Sequence, residues 1–100
     1  MSKNKIRSAK QIERYFKGVA NYRRIEILLL IERSGGICLE KIADVLKYEI
    51  KNTFQHVQKL SNAGLVNKKH NGKMVDHTLS PYGKRFVNFI KTFINIENIE

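Results

Sequence analysis

Residues 39–79 read LEKIADVLKYEIKNTFQHVQKLSNAGLVNKKHNGKMVDHTL. Two stretches with apolar residues at helical spacing flank a polar turn, Lys47-Tyr48-Glu49, and lead into a hairpin signal centred on Asn71-Gly72. That order predicts a helix-turn-helix followed by a β-hairpin wing. Residues 50–75 carry Lys51, Lys59, Lys68, Lys69 and Lys73 without a single Asp or Glu. A surface of this kind suits a polyanion, and a helix beside a hairpin suits double-stranded DNA.

Sorted at 100° per residue, the second helix of the pair, expected over residues 50–63, divides into two faces. Ile50, Thr53, Val57 and Leu60 form the core face, with Gly64 as left-handed cap and Leu65 folding back toward Leu60. Lys51, Asn52, Gln55, Gln58, Lys59 and Asn62 fall on the other face, all able to donate to phosphate oxygens or base edges. Gln pairs bidentately with adenine, which makes Gln55 and Gln58 the expected base readers. Phe54 lies at the margin of the core face. Packing inward is favoured over contact with a thymine methyl, because large aromatics usually bury.

The wing is expected over residues 65–79, with Val75, His77 and Leu79 on one face and Lys68, Lys69, His70 and Lys73 at the tip. From there the basic groups would reach the DNA backbone or the minor groove. Upstream, residues 1–7 read as a mobile basic arm and residues 8–20 as a first amphipathic helix carrying Ile12, Tyr15, Phe16 and Val19. Asn21 is placed to cap a second helix that buries Ile25, Leu28, Leu29 and Ile31, with Arg23 and Arg24 in its first turn. Ser34-Gly35-Gly36 ends it, and residues 37–39 are placed to form a short strand along the wing. A third helix over residues 40–46 would bury Ile42, Ala43, Val45 and Leu46. Ser80-Pro81 opens a last helix over residues 81–98. The fold class is therefore mainly α with a small β-hairpin wing, a winged helix-turn-helix of about five helices in one domain.

That last helix carries Phe86, Phe89, Ile90 and Phe93, an apolar band too wide for one side of a small monomer. Together with Ile12 and Phe16 it predicts a homodimer joined through the first and last helices. At 100 residues a single chain buries only a modest fraction of its surface, so association adds stability. The formal net charge of +10 draws the chain toward phosphate-rich partners. One cysteine, Cys38, cannot form a disulfide within the chain. The first ten residues lack the apolar core of a signal peptide and no apolar run is long enough to span a bilayer, so the expectation is a cytoplasmic protein with no membrane partner.

The stretches KGVANYRRIEILLLI, ICLEKIADVL, NTFQHVQKLSNAGLV and KKHNGKMVDHTLS together resemble the winged-helix repressors of the ArsR type, and LSPYGKRF is similar to the MarR and PadR relatives. The resemblance covers residues 17–86 in order. It implies a homodimeric repressor on an inverted-repeat operator, often released by an effector. His56 matches a histidine of the family's recognition helix, in a flanking or phosphate-facing role. Cys38 falls at the first cysteine of the family's CxC metal motif, but Glu40 stands at the second. Thiolate sensing needs two or more soft ligands, and the last helix has no histidine, so neither a metal site nor a cofactor is expected. No phosphate loop or acid/base pair marks an enzyme. The competing reading is a winged-helix module for protein interaction or RNA association within a larger assembly, which the basic recognition face disfavours.

Overall fold

The computed structural model describes residues 2–99, and side-chain surroundings for residues 9–94. Five helices and three strands follow in the order α1 (Ser2–Val19), α2 (Tyr22–Ser34), β1 (Ile37–Cys38), α3 (Leu39–Leu46), α4 (Ile50–Asn62), β2 (Val66–Asn71), β3 (Met74–Leu79) and α5 (Pro81–Ile99). The strands form one antiparallel sheet in the order β1-β3-β2. The fold is a winged helix-turn-helix. Helix α1 starts at Ser2, where the sequence predicts an arm over residues 1–7; no Gly or Pro interrupts the chain before Gly18, so the helix extends back through it. Met1, the remainder of that arm, lies outside the described residues.

Local chemistry accounts for the helix ends. The Asn21 side chain accepts from the Arg23 and Arg24 amides at 2.9 and 3.3 Å, closing the N-terminus of α2. Gly35, at φ 73°, ends that helix in the left-handed conformation. In α2 the buried set is Ile27, Leu28, Leu30, Ile31 and Arg24, whereas Ile25 and Leu29 are only half-buried. The continuous apolar run leaves the helical phase open, and packing settles it. In α3, Ile42 and Ala43 are buried but Val45 is exposed, and Ile50, at the first position of α4, is 48 % exposed rather than core.

At the end of α4 the Leu65 amide donates to the Leu60 carbonyl and the Gly64 amide to Ser61, both at 3.0 Å, with Gly64 at φ 85°. This is a Schellman turn with Leu60 and Leu65 fully buried beneath it. Ser80 then ties α5 to the same turn. Its amide donates to the Leu65 carbonyl (3.0 Å), its hydroxyl donates to the Gly64 carbonyl (2.6 Å), and the same hydroxyl accepts from the Gly83 amide as the cap of α5 (3.0 Å).

Strands β2 and β3 pair from Val66 opposite Leu79 to Asn71 opposite Met74, so the two-residue turn is Gly72-Lys73, one residue beyond the expected centre. Gly72 supplies the positive φ, 65°, that such a turn requires. On the other side of β3, Ile37 pairs with His77 and Cys38 with Asp76, covering that edge; Leu39, expected in the strand, opens α3 instead. The core gathers Ile27, Leu28, Ile31, Ile42, Leu60, Leu65 and Val87, all nearly inaccessible.

A Cβ at position 83 would overlap the Leu65 carbonyl group. Gly83→Ala should therefore push α5 off the α4 turn and destabilise the fold by about 2 kcal/mol or more, read as a lowered midpoint in thermal or urea unfolding. An unchanged midpoint would mean that α5 tolerates the shift.

Candidate nucleic-acid interface

Helix α4 turns Thr53, Val57 and Leu60 into the core and leaves Lys51, Gln55, Lys59 and Asn62 exposed on the opposite side. Thr53 sits in the core at no cost because its hydroxyl donates to the Glu49 carbonyl at 2.8 Å. The turn before it is set by Lys47, a non-glycine residue at φ 61°, and by the Tyr48 amide bonding back to Ala43. Asn52 is half-buried, and its amide donates to the Glu49 carboxylate at 3.0 Å. That donor reaches a nucleic acid only if this local bond opens.

The two flanks of α4 differ. On one, Phe54 and Gln58 face the wing across an open groove of about 600 Å³, whose far wall is Lys68, His70, Lys73 and Val75. Phe54 is 50 % exposed there, contrary to the expectation that it packs inward; about 100° from the core face, its ring projects into the groove. Gln58 is half-buried at the same wall.

On the other flank His56 meets α2. Arg24 Nη1 lies 3.4 Å from His56 Nδ1, and because a guanidinium only donates, Nδ1 accepts in this hydrogen bond. Burial first, then the charges of Arg24, Arg23 and Lys59, hold His56 below the ordinary histidine range. Arg23 lies over the Tyr48 ring, 4.8 Å from its centroid, and its Nε donates to the Tyr22 hydroxyl at 3.2 Å. The Tyr48 hydroxyl in turn bonds Glu26.

The wing pleat separates residues that the sequence groups together. Lys68, His70, Val75 and His77 share the face toward α4, whereas Lys69 lies on the opposite face, in a cleft with Glu32, Thr78 and Lys84. All four tip residues, Lys68, Lys69, His70 and Lys73, are exposed. His77 lies beneath the groove, 6 % exposed, with Nδ1–H donating to the Ile37 carbonyl at 3.2 Å. Sequence reasoning placed Arg23 and Arg24 in the first turn of a helix but did not bring them to the flank of α4. The available signal was two successive cations in a first helical turn, the end whose dipole disfavours them.

Helices α1 and α5 display a ladder of aromatic rings. Phe16 meets Phe86 at 5.0 Å between centroids and Phe89 at 6.3 Å, and Phe89 meets Phe93 at 5.1 Å, all edge-to-face. Ile12, Phe16, Phe89 and Phe93 are each about half exposed, while Phe86 and Ile90 are partly buried. Tyr82, stacked 4.8 Å from Tyr15, extends the same surface. Among the described residues no three His, Cys, Asp or Glu side chains converge as metal ligands, and no helix is long and apolar enough to cross a membrane.

No family model matches the sequence. The fold is shared with solved winged helix-turn-helix regulators. A homodimeric winged helix-turn-helix DNA-binding domain from Mycobacterium bovis, a "possible ArsR-family transcriptional regulator", superposes with a TM-score of 0.82 at 24% identity, covering 95% of this chain and 88% of that one. The transcriptional regulator HlyU from Vibrio vulnificus gives 0.75 at 22% identity, over 93% of this chain and 98% of its own. The antimony-specific transcriptional repressor AntR gives 0.78 at 20% identity, over 92% and 84%.

Burial pushes the His77 imidazole below the ordinary histidine range, outweighing the Ile37 carbonyl, which favours the charged form. The unfolded chain therefore takes up the His77 proton first as pH falls. Stability from this group is complete above about pH 6.5 and is lost as pH falls from there toward the lower folded value. The thermal midpoint should drop between about pH 7 and about pH 5, and less steeply in His77→Gln. An equal slope in the variant would move the pH dependence to another group.

Proposed function

We propose that this chain is a sequence-specific DNA-binding transcriptional regulator, a repressor that binds an inverted-repeat operator as a homodimer. The observation that carries this reading is α4, which exposes Lys51, Gln55, Lys59 and Asn62 and turns half-buried Gln58 toward a basic wing across a groove. A helix of this diameter fits the major groove, and a wing at its flank reaches the adjoining backbone. The net charge of +10 supplies the sequence-independent attraction. Gln55 and Gln58 read bases; Lys51, Asn52, His56, Lys59, Asn62, Lys68, Lys69, His70 and Lys73 hold phosphates or base edges.

Assembly follows from the aromatic ladder. Ile12, Phe16, Phe86, Phe89, Ile90 and Phe93 form the interface, and burying each exposed side chain contributes about 1.5–3 kcal/mol before the cost of association. The fold-sharing domain from Mycobacterium bovis is homodimeric, which supports the same arrangement here. Two recognition helices related by a two-fold axis meet half-sites about one helical turn apart, or a multiple of it.

Gln55→Ala or Gln58→Ala should cost about 1–3 kcal/mol on a duplex selected from a random pool and far less on random sequence. Lys68→Gln or Lys73→Gln should weaken both alike and lower the salt dependence by about one unit each. A protein that binds random duplex DNA without salt dependence is instead an interaction module.

Phe89→Glu places a charge within the aromatic ladder. It should leave the fold intact, give a monomer in sedimentation, and weaken operator binding strongly. A wild-type protein that sediments as a monomer at micromolar concentration, or selected sites without two-fold symmetry, would refute the dimer.

A further inference from the structure

Arg24 is the least comfortable side chain in the fold. It is 9 % exposed, its Nε has no hydrogen-bond partner among the described residues, and its one side-chain hydrogen bond among them is to the His56 ring. Neither ion pair among those residues, Glu13–Lys17 or Glu32–Lys91, involves it. A guanidinium cannot discharge itself by losing a proton, so the fold holds a nearly buried cation without a counter-charge. Arg23, Arg24, His56 and Lys59 stand together at the N-terminus of α2, where the helix dipole is also positive. The helix amides of Arg23 and Arg24 already donate to Asn21, so whatever this cluster attracts must be held by side chains. Two carboxylates lie on this side, Glu26 on the Tyr48 hydroxyl and Glu49 on the Asn52 amide, and neither forms an ion pair with Arg23, Arg24 or Lys59, so the cluster favours a further anion.

Its place in the fold says which anion. The wing borders the Phe54 and Gln58 flank of α4, and this cluster borders the opposite flank, that of Asn52, His56 and Lys59. A helix seated in the major groove has a phosphate backbone along each side. We propose that Arg23, Arg24, His56 and Lys59 form a second phosphate-binding station, which grips the strand bordering the side of the groove away from the wing. Arg24 is the fixed part, oriented by His56 and packed by the core, and Arg23 is steadied over the Tyr48 ring. Together the wing and this station hold α4 from both sides. The inference rests on the DNA-binding reading above.

An anion at the station reverses the local balance. The charged groups that hold the His56 pKa down are all cations, Arg24, Arg23 and Lys59, and a phosphate among them favours the imidazolium. The full-length protein tests this with a random-sequence duplex. Arg24→Met keeps an apolar stem that packs and removes the guanidinium, its charge and its hydrogen bond to His56, so its thermal midpoint should hold or rise while DNA affinity falls about tenfold and the salt slope by about one unit. Arg23→Gln and Lys59→Gln should each lower the slope, and the pKa of the His56 ring, followed by NMR, should rise on adding duplex. If Arg24→Met loses midpoint, Arg23→Gln and Lys59→Gln decide: unchanged slopes in both overturn the station. So does a His56 ring that duplex leaves unmoved. A wild-type protein that binds no duplex overturns the DNA-binding reading itself, whereas one that binds normally with all three variants intact overturns this station alone.

Discussion

The structure depends on the turn Ala63-Gly64-Leu65. Three helices and the wing converge there, and hydrogen bonds to its backbone tie it together: the Leu65 carbonyl accepts from the Ser80 amide, the Gly64 carbonyl from the Ser80 hydroxyl, and the Leu65 amide closes the end of α4. Close approach is allowed by missing side chains. A Cβ on Gly18 would come within 2.6 Å of the Ala63 Cβ, so α1 crosses the turn only as glycine, and Gly83 does the same for α5 against the Leu65 carbonyl. Buried backbone groups must be paired, so this junction sets the angle between α4, the wing that leaves it at Val66, and α5, which carries the outer aromatic surface.

That angle decides which charges act together. The wing is held beside one flank of α4 by the turn and by the Ser61 hydroxyl, which donates to the Val66 carbonyl at 3.2 Å, while β1 braces the other edge of β3. The groove between wing and helix is thus a fixed feature of the sheet register. On the far flank the packing of α2 against α4 brings Arg24 to His56, two residues separated by 32 positions. Like charges assembled in this way weaken the free fold, and they are the expected signature of a surface completed by a polyanion.

The aromatic surface of α1 and α5 carries the same logic in apolar form. Phe16, Phe89 and Phe93 pack edge-to-face with one another yet remain about half exposed, so their stabilisation is incomplete within one chain. This surface lies on α1 and α5, and the polar face beside the wing lies on α4.

The sequence by itself determined the element order, the helix-turn-helix, the wing and the caps at Asn21, Gly64 and Ser80, because each rests on local chemistry: hydrophobic period, side-chain capping and the φ preference of glycine. It also separated the core and polar faces of α4, apart from Ile50 and Phe54, whose places depend on what lies alongside. Only the tertiary structure decided the phase of α2, since an unbroken apolar run has no preferred face until a neighbour covers one. It moved the hairpin turn by one residue, to Gly72-Lys73. It also joined Arg24 to His56. Register and long-range proximity are properties of the packed chain, and no local pattern encodes them.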